Sequence, residues 1–508
     1  ADTFFRLTGE TWVAPERMRI PQADEKQRFL ANLILYLSSR PIPRMWYLPD
    51  GKKALLINTG DGEDLGGADF ELILNDAASY GGRLTLYLRE SGIANTTSAE
   101  EAAWRAVGHE TGPHVYGGGP DTWDALVPAY EQIISNLWAK FGHGGRTARS
   151  HTIDWCGWVD MAKIEADNGT ELDCNYYHYL PFLQGQGDNA DGYFTSSGLP
   201  QRLCDEAGHL LSVYQVLTEW PDEWFDDKGY TAAQAVQVVK DMFVAAQAGN
   251  YSAFVINVHP VRYNNIGGDI THAWANEVWA YAQNNGIPIW TAERLLDFVK
   301  ARNIARFENI QWTNATLSFG FSTSVSGQNL TIMLPRWIGS NALKSATFAG
   351  NPVGFSLQAI KGREYGLFTT QAATGHVVAV YGSETTPPGI SGLRVENVTD
   401  TTAAIVWDTD APANSRVDYG LNALDLDFHR STSAFVTSHK VELSGLHPNS
   451  TYYFQVTSAD PGGNTVRSGV LSFTTASSSW VQTTVADFRS GAIDGLVISE
   501  DEDGELRL

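Results

Sequence analysis

The chain has 508 residues, with 35 Lys plus Arg against 58 Asp plus Glu and a formal net charge of −23. That surplus of carboxylates argues against nucleic acid as a partner, since phosphate contacts need a basic face, and against an anionic membrane surface. Hydrophobic residues at 43 % and charged residues at 18 % supply real cores, so the length reads as about three folded domains rather than disorder.

In chain order, Ala54–Asn58 is a short buried-strand pattern and Leu84–Leu88 a second strand. Asp121–Phe141 carries Leu126, Tyr130, Ile133, Ile134, Leu137 and Trp138 at helical spacing. Ala232–Gln247 reads as a helix, Phe254–His259 as a strand, His272–Asn284 as a helix, Ile287–Trp290 as a strand and Ala292–Lys300 as the next helix. Alternation of β and α predicts a parallel sheet closed, or nearly closed, into a barrel over residues 1–303, with chemistry at the C-terminal strand ends. Residues 304–382 turn all-β, with strands such as Ala315–Phe321, Leu330–Leu334 and His376–Tyr381, and predict a small β-sandwich. Ser383–Gly389 is a Pro-containing linker into a further run of short strands over 383–476. The acidic stretch 477–508 reads as a tail or the start of another module. The fold class expected is multidomain: an α/β distorted (β/α) barrel followed by C-terminal all-β sandwich domains.

No run of about 18 apolar residues predicts a transmembrane helix. Cys156, Cys174 and Cys204 exclude a disulfide scaffold and a Cys-rich zinc site; they leave room for one pair, Cys156 with Cys174, and a free thiol. The opening Ala1-Asp2-Thr3 suits a mature secreted product, and the N-x-[ST] sequons suit an extracellular setting.

Four polar patches close apolar runs of the first domain: Asn58–Asp64, Gly108–Gly119, Arg149–Trp155 and Ile256–Pro260. An Asp/Gly turn or a lone His after a strand is ordinarily structural. Four at strand ends of one α/β domain favour a site. Asp121, Asp124, Asp222, Glu223, Asp226 and Asp227 offer a glycosidase carboxylate pair, but such a charge run is ordinarily a solvated face. The sixteen Trp and twenty Tyr first of all fill cores, although their flat faces also stack on sugar rings.

The order of the patches resembles the polysaccharide deacetylase superfamily, the carbohydrate esterase or NodB-homology fold. Thr59-Gly60-Asp61-Gly62 stands where that family has T-F-D-D-G-P. Gly108–His114 is similar to its G-H-E-x-x-x-H phrase, Arg149 to its strand-end Arg, and Val255–His259 to its final strand ending in His. The resemblance implies a distorted (β/α) barrel and a metal-dependent hydrolase that removes N- or O-acetyl groups from a polysaccharide. It implies a divalent ion, zinc first, on Asp61, His114 and His151, with His151 replacing the family's second His, whose place Gly118 takes. It implies catalytic roles for Asp61, His259 and Arg149, and sugar contacts from Tyr116, Trp155 and His178. The family's Asp pair is reduced to Asp61 alone, unless Glu63 or Asp64 bends in. The alternative is a degenerate deacetylase fold kept for an extracellular structural, self-assembling or glycan-binding role, with self-association through the β-modules or the tail.

In 383–476, Trp407 and the run Leu446-His447-Pro448-Asn449-Ser450-Thr451-Tyr452-Tyr453 resemble the L-x-P-x-x-T-x-Y signature of fibronectin type III modules. The resemblance implies a core Trp407 and a Tyr, such as Tyr453, whose hydroxyl turns back to the backbone.

Overall fold

The computed structural model describes residues 19–38, 40–119, 121–177, 192–193, 195–478, 499–500 and 506–507. His178 and most of the 477–508 stretch lie outside the described residues. The chain divides into two compact units, one of residues 1–338 and 342–382, the other of 383–508 with 339–341.

The first unit opens with helix α1 (Gln22–Leu37) and is built around strands β1 (Ala54–Asp61), β2 (Thr85–Leu88), β3 (Glu110–Val115), β4 (Thr147–Ser150), β5 (Leu172–Tyr177), β6 (Leu210–Pro221), β7 (Ser252–Asn257) and β8 (Ile289–Trp290). β1 through β7 pair in parallel in that order, and β7 pairs back onto β1, so the sheet closes into a barrel. β8 pairs in parallel with the N-terminal half of β1. Every residue of β1 is buried, as expected of a strand covered on both faces.

Between the strands run α2 (Glu71–Ser79), α3 (Ser98–Ala106), α4 (Trp123–Phe141), α5 (Asp160–Asp167), α6 (Asp222–Asp227), α7 (Ala232–Ala245), α8 (Thr271–Asn284) and α9 (Ala292–Ile304). α4 buries Leu126, Tyr130, Ile133, Ile134 and Leu137, and it stops at Gly142, whose φ of 80° suits a residue without Cβ. α3 and α7 each start in a capping box, Thr97 with Glu100 and Thr231 with Gln234. Each pair satisfies two N–H groups that the first turn leaves without partners.

Strands between Arg306 and Ser383 form two antiparallel sheets in the same compact unit as the barrel. One sheet recruits Arg44–Met45, which pairs with Ile332 and Met333. One apolar cluster runs from Leu55, Ile57 and Val255 of the barrel to Leu330, Ile332 and Phe368 of these sheets. The all-β segment and the barrel therefore share a core.

The second unit is built of antiparallel strands, linked in one six-stranded sheet, around a core of Trp407, Phe454 and Val456. The tyrosine that turns back is Tyr452, not Tyr453: the His447 N–H donates to the Tyr452 hydroxyl at 3.0 Å. Along Thr451–Ala459 side chains alternate, which sends Tyr452 inward and leaves Tyr453 half-buried. The expected pairing of Cys156 and Cys174 is also corrected, since all three cysteines are free thiols. Cys156 packs in the cluster with Leu126 and Met161, Cys174 in the other with Leu172 and Tyr87.

Candidate functional site

The C-terminal ends of β1, β3 and β4 and the segments after β6 and β7 meet around a cavity of about 290 Å³. It is lined by Asp61, Glu63, His114, Arg149, Ser150, His151, Thr152, Ile153, Glu223 and His259.

β1 ends at Asp61, and the turn beyond is held by the Gly62 N–H, which donates to the Tyr87 carbonyl at 2.8 Å. Its neighbours leave no room for side chains at 60 or 62. A Cβ on Gly60 would lie 2.7 Å from the Val258 carbonyl oxygen. One on Gly62 would lie 3.0 Å from both Leu88 and Phe70. The chain then turns through Glu63 at φ 48°, a left-handed conformation that costs a non-glycine residue about 1 kcal/mol or more. That turn brings the Glu63 carboxylate back over the cavity. Its Oε1 lies 3.5 Å from His114 Nε2 and its Oε2 3.2 Å from His151 Nδ1.

His114 sits inside β3, fully buried, and its Nδ1–H donates to the Arg149 carbonyl at 2.9 Å. This bond orients the ring and turns Nε2 to the cavity. His151 follows β4 directly, with its Nδ1 3.3 Å from His114 Nε2. The next two residues, Thr152 and Ile153, have φ of 54° and 61°. For β-branched residues this is real strain, concentrated in the cavity wall. Asp154 clamps the turn, accepting from Thr152 Oγ1 at 2.8 Å and from the Gly117 N–H at 2.9 Å. Burial pushes the Glu63 carboxyl up, but hydrogen bonds and charges from His114 and His151 outweigh it and hold the group below the usual carboxylate range.

Arg149 points from β4 into the barrel. Its guanidinium donates to Asp61 Oδ1 at 3.0 Å, Asn257 Oδ1 at 2.8 Å, Thr59 Oγ1 at 2.8 Å, Thr218 Oγ1 at 2.9 Å and the Cys174 carbonyl at 3.3 Å. These bonds use all of its N–H donors. Asn257 Nδ2 donates to the other Asp61 oxygen at 2.8 Å. Asp61 is therefore oriented by Arg149 and Asn257, and it stands 3.9 Å from both His114 Nδ1 and His259 Nε2.

His259 lies two residues beyond β7. Its backbone N–H and its Nδ1–H donate to the two oxygens of Asp222, at 2.8 and 2.6 Å, and Glu223 Oε2 is 3.2 Å from the same Nδ1. Its Nε2 turns to the cavity, 3.8 Å from Glu63 Oε1. Burial pulls the imidazole down, but Asp222 and Glu223 overcome it and raise the pKa well above the ordinary value.

Of the residues expected from sequence, Asp61, His114, Arg149, His151 and His259 converge on one cavity. Asp61, His114 and His151 were expected as one donor set; the donor atoms that lie within 4.8 Å of one another are those of Glu63, His114 and His151. Asp61 accepts from Arg149 and Asn257. Tyr116 and Trp155 stand at the rim, outside the lining. Tyr116 meets His151 edge to face at 5.0 Å, with the Arg89 guanidinium 5.1 Å from its ring. Trp155 donates Nε1–H to the Gly157 carbonyl at 3.2 Å. His178 lies outside the described residues. Asp222 and Glu223, read as a solvated face, belong to the site, and Asp222 is fully buried.

The donor set suits a divalent ion. It combines two imidazole nitrogens, one on a ring oriented by a carbonyl, with one carboxylate, and it opens on a cavity that leaves positions for water or substrate.

A family model described as the N-terminal domain of purple acid phosphatase matches residues 389–475. No curated protein matches the chain. Among solved structures, a mutant of a CE4-family pseudoenzyme is 13 % identical over 51 % of this chain and 72 % of its own, with a TM-score of 0.31. The Bc1960 peptidoglycan N-acetylglucosamine deacetylase is 12 % identical over 49 % of this chain and 89 % of its own, with a TM-score of 0.30. The fn3 domain of human contactin 1 is 13 % identical over 20 % of this chain and 86 % of its own, with a TM-score of 0.17.

Proposed function

We propose that the barrel is a metal-dependent hydrolase that removes acetyl groups from an extracellular glycan. The observation that carries this reading is the convergence of Glu63, His114 and His151 with Asp61 on one side and the Asp222-supported His259 on the other. Bound there, a divalent ion, zinc first, would polarise an acetyl carbonyl and lower the pKa of a water. Asp61, fixed by Arg149 and Asn257, is the base that takes a proton from the attacking water. His259 carries its proton on the cavity-facing Nε2 and passes it to the leaving amine or alkoxide, while Asp222 stabilises the imidazolium. Arg149 acts through Asp61 as a positioning residue. Glu63 supplies the carboxylate that the closed space at Gly62 denies.

The rim supports a glycan. The segments 116–124 and 151–160 carry Tyr116, Trp123, Trp155 and Trp158, and two hydrogen bonds tie them together: Gly117 N–H to Asp154 at 2.9 Å and Trp155 N–H to Asp121 at 3.4 Å. Tyr116, Trp123 and Trp158 are 41, 44 and 81 % exposed. Both segments contain Asp and no Lys or Arg, which suits a neutral or amine-bearing polymer over an anionic one.

The test is metal analysis of the purified protein together with acetate release from acetylated chitin oligosaccharides and acetylated xylan. One divalent ion per chain and chelator-sensitive acetate release are expected. A metal-free protein that releases no acetate from either substrate after zinc is added overturns the reading.

A further inference from the structure

Helix α1 wears its polarity inside out. Two of its four charged residues, Asp24 and Arg28, are buried. Asp24 accepts from Ser197 Oγ at 2.6 Å and from the Gly198 N–H at 2.9 Å. Arg28 donates to the Asn250 carbonyl at 2.9 Å and lies 4.9 and 5.2 Å from the rings of Tyr47 and Tyr251. Its large apolar residues face water: Phe29, Leu30, Leu33, Ile34, Tyr36 and Leu37 are between 41 and 77 % exposed. No charged residue occurs from Phe29 to Leu37. At roughly 100° per residue these six side chains fill one arc of about 160°, opposite Asp24, Arg28 and Leu35. A helix stripe of this kind is stable in water only when something covers it.

We propose that α1 is a dimerisation helix that pairs antiparallel with α1 of a second copy of the chain about a twofold axis. Three features select that occupant. Exposed Lys26, Leu30, Leu33 and Leu37 follow the four-three-four spacing of a two-helix seam. A twofold interface presents the same patch from both sides, so one stripe suffices. The charges also complement each other in one orientation only. Lys26 lies in the same arc, one turn before Leu30, and the last turn of α1 has no basic residue of its own. Antiparallel pairing lays the Lys26 stem over the partner's Leu37 and sets its ammonium at the C-terminal carbonyls of the partner helix. Parallel pairing would set Lys26 against its own copy. An anionic membrane is a poor occupant for a chain of net charge −23.

The test is light scattering of the full chain across the micromolar range, with circular dichroism to confirm folding. The wild type is expected at twice the chain mass, and Leu33→Glu at the chain mass with an unchanged spectrum. Lys26→Glu is expected to weaken the dimer about tenfold, and the double change Lys26→Glu with Leu37→Lys to restore it by placing opposite charges across the seam. Lys26→Glu alters an exposed polar side chain, so it reports even if Leu33→Glu fails to fold. A monomeric wild type, a Leu33→Glu dimer as tight as wild type, or an indifferent Lys26→Glu variant overturns the proposal.

Discussion

The two ends of the barrel both gather histidine and glutamate, and they use them in opposite ways. At the N-terminal end, His109 accepts from the Leu84 N–H at 3.0 Å. There Glu110 accepts from Thr85 Oγ1 at 3.1 Å and from the Glu293 N–H at 3.0 Å, at the start of α9. Burial and Arg83 pull His109 down to about 4, and burial and Glu293 push Glu110 up to about 7. Both groups are driven toward their neutral forms and spent on the scaffold. At the C-terminal end the shifts reverse: Glu63 is held low by two imidazoles and His259 is raised by two carboxylates. Glu110 and His114 lie four positions apart on one strand. That distance carries the chain from a neutral plug to a polarised cavity, because the β-to-α turns at the C-terminal end leave side chains facing open space.

The largest expected effects test whether the polarised end is the working one. His114→Ala removes the donor whose ring the Arg149 carbonyl orients. It is expected to reduce bound metal from one equivalent to near zero, with acetate release falling by at least about 10³-fold. The protein's circular dichroism should stay unchanged. His259→Ala should keep the metal and lower kcat by roughly 10² to 10⁴-fold, the range for losing a positioned general acid. Loss of metal in His259→Ala would show that the two histidines do not divide the work in this way. Metal analysis and steady-state kinetics on one acetylated substrate read both outcomes.

Much of this contrast is legible in the sequence. The buried run of β1, the Leu126 to Leu137 stripe of α4 and the closing His259 follow from periodicity and from strand ends. Four things are not. Glu63 and Asp64 are both legible as carboxylates able to bend in, but the choice between them is hidden because it depends on a left-handed backbone at Glu63. The closed space behind Gly60 and Gly62, which leaves no room for a side chain at either position, is not legible either. Asp222 looked like part of an exposed acidic run because a charge pattern does not reveal that a histidine from another strand will cap it. α1 escaped notice because its apolar residues face outward, so its period points away from the core it should mark. The same physics misplaced the inward tyrosine of the C-terminal β unit by one residue, since a one-position slip in a strand exchanges its faces.

A stability measurement sharpens the comparison from the other end. Glu110 has its folded pKa raised from 4.5 to about 7. Its contribution is therefore fully present below about pH 4.5, declines as pH rises toward 7, and is gone above that, up to about 3 kcal/mol in all. Glu110→Gln stays neutral throughout. Wild type should lose stability relative to this variant between pH 4.5 and 7.5, as read by the barrel's melting transition, while metal content and acetate release stay at wild-type levels. A pH-independent difference would mean that the N-terminal end is not a neutral plug.

The smallest expected effect concerns how far the working end extends. Trp158 is 81 % exposed, on the loop that supplies His151, Thr152 and Ile153 to the cavity, and its ring contributes little to the core. Trp158→Ala should therefore fold and bind metal as wild type does. If the rim carries a polymer past the cavity, the variant loses one stacking face, worth roughly 0.5 to 1.5 kcal/mol, or about three- to tenfold in affinity. The loss should appear as a raised KM on a long acetylated polymer and vanish on an acetylated monosaccharide, which is too short to reach the ring. Equal KM changes on both would place Trp158 in the cavity's own support. No change on either would confine recognition to the cavity, leaving the exposed aromatic rings of the rim without a part in it.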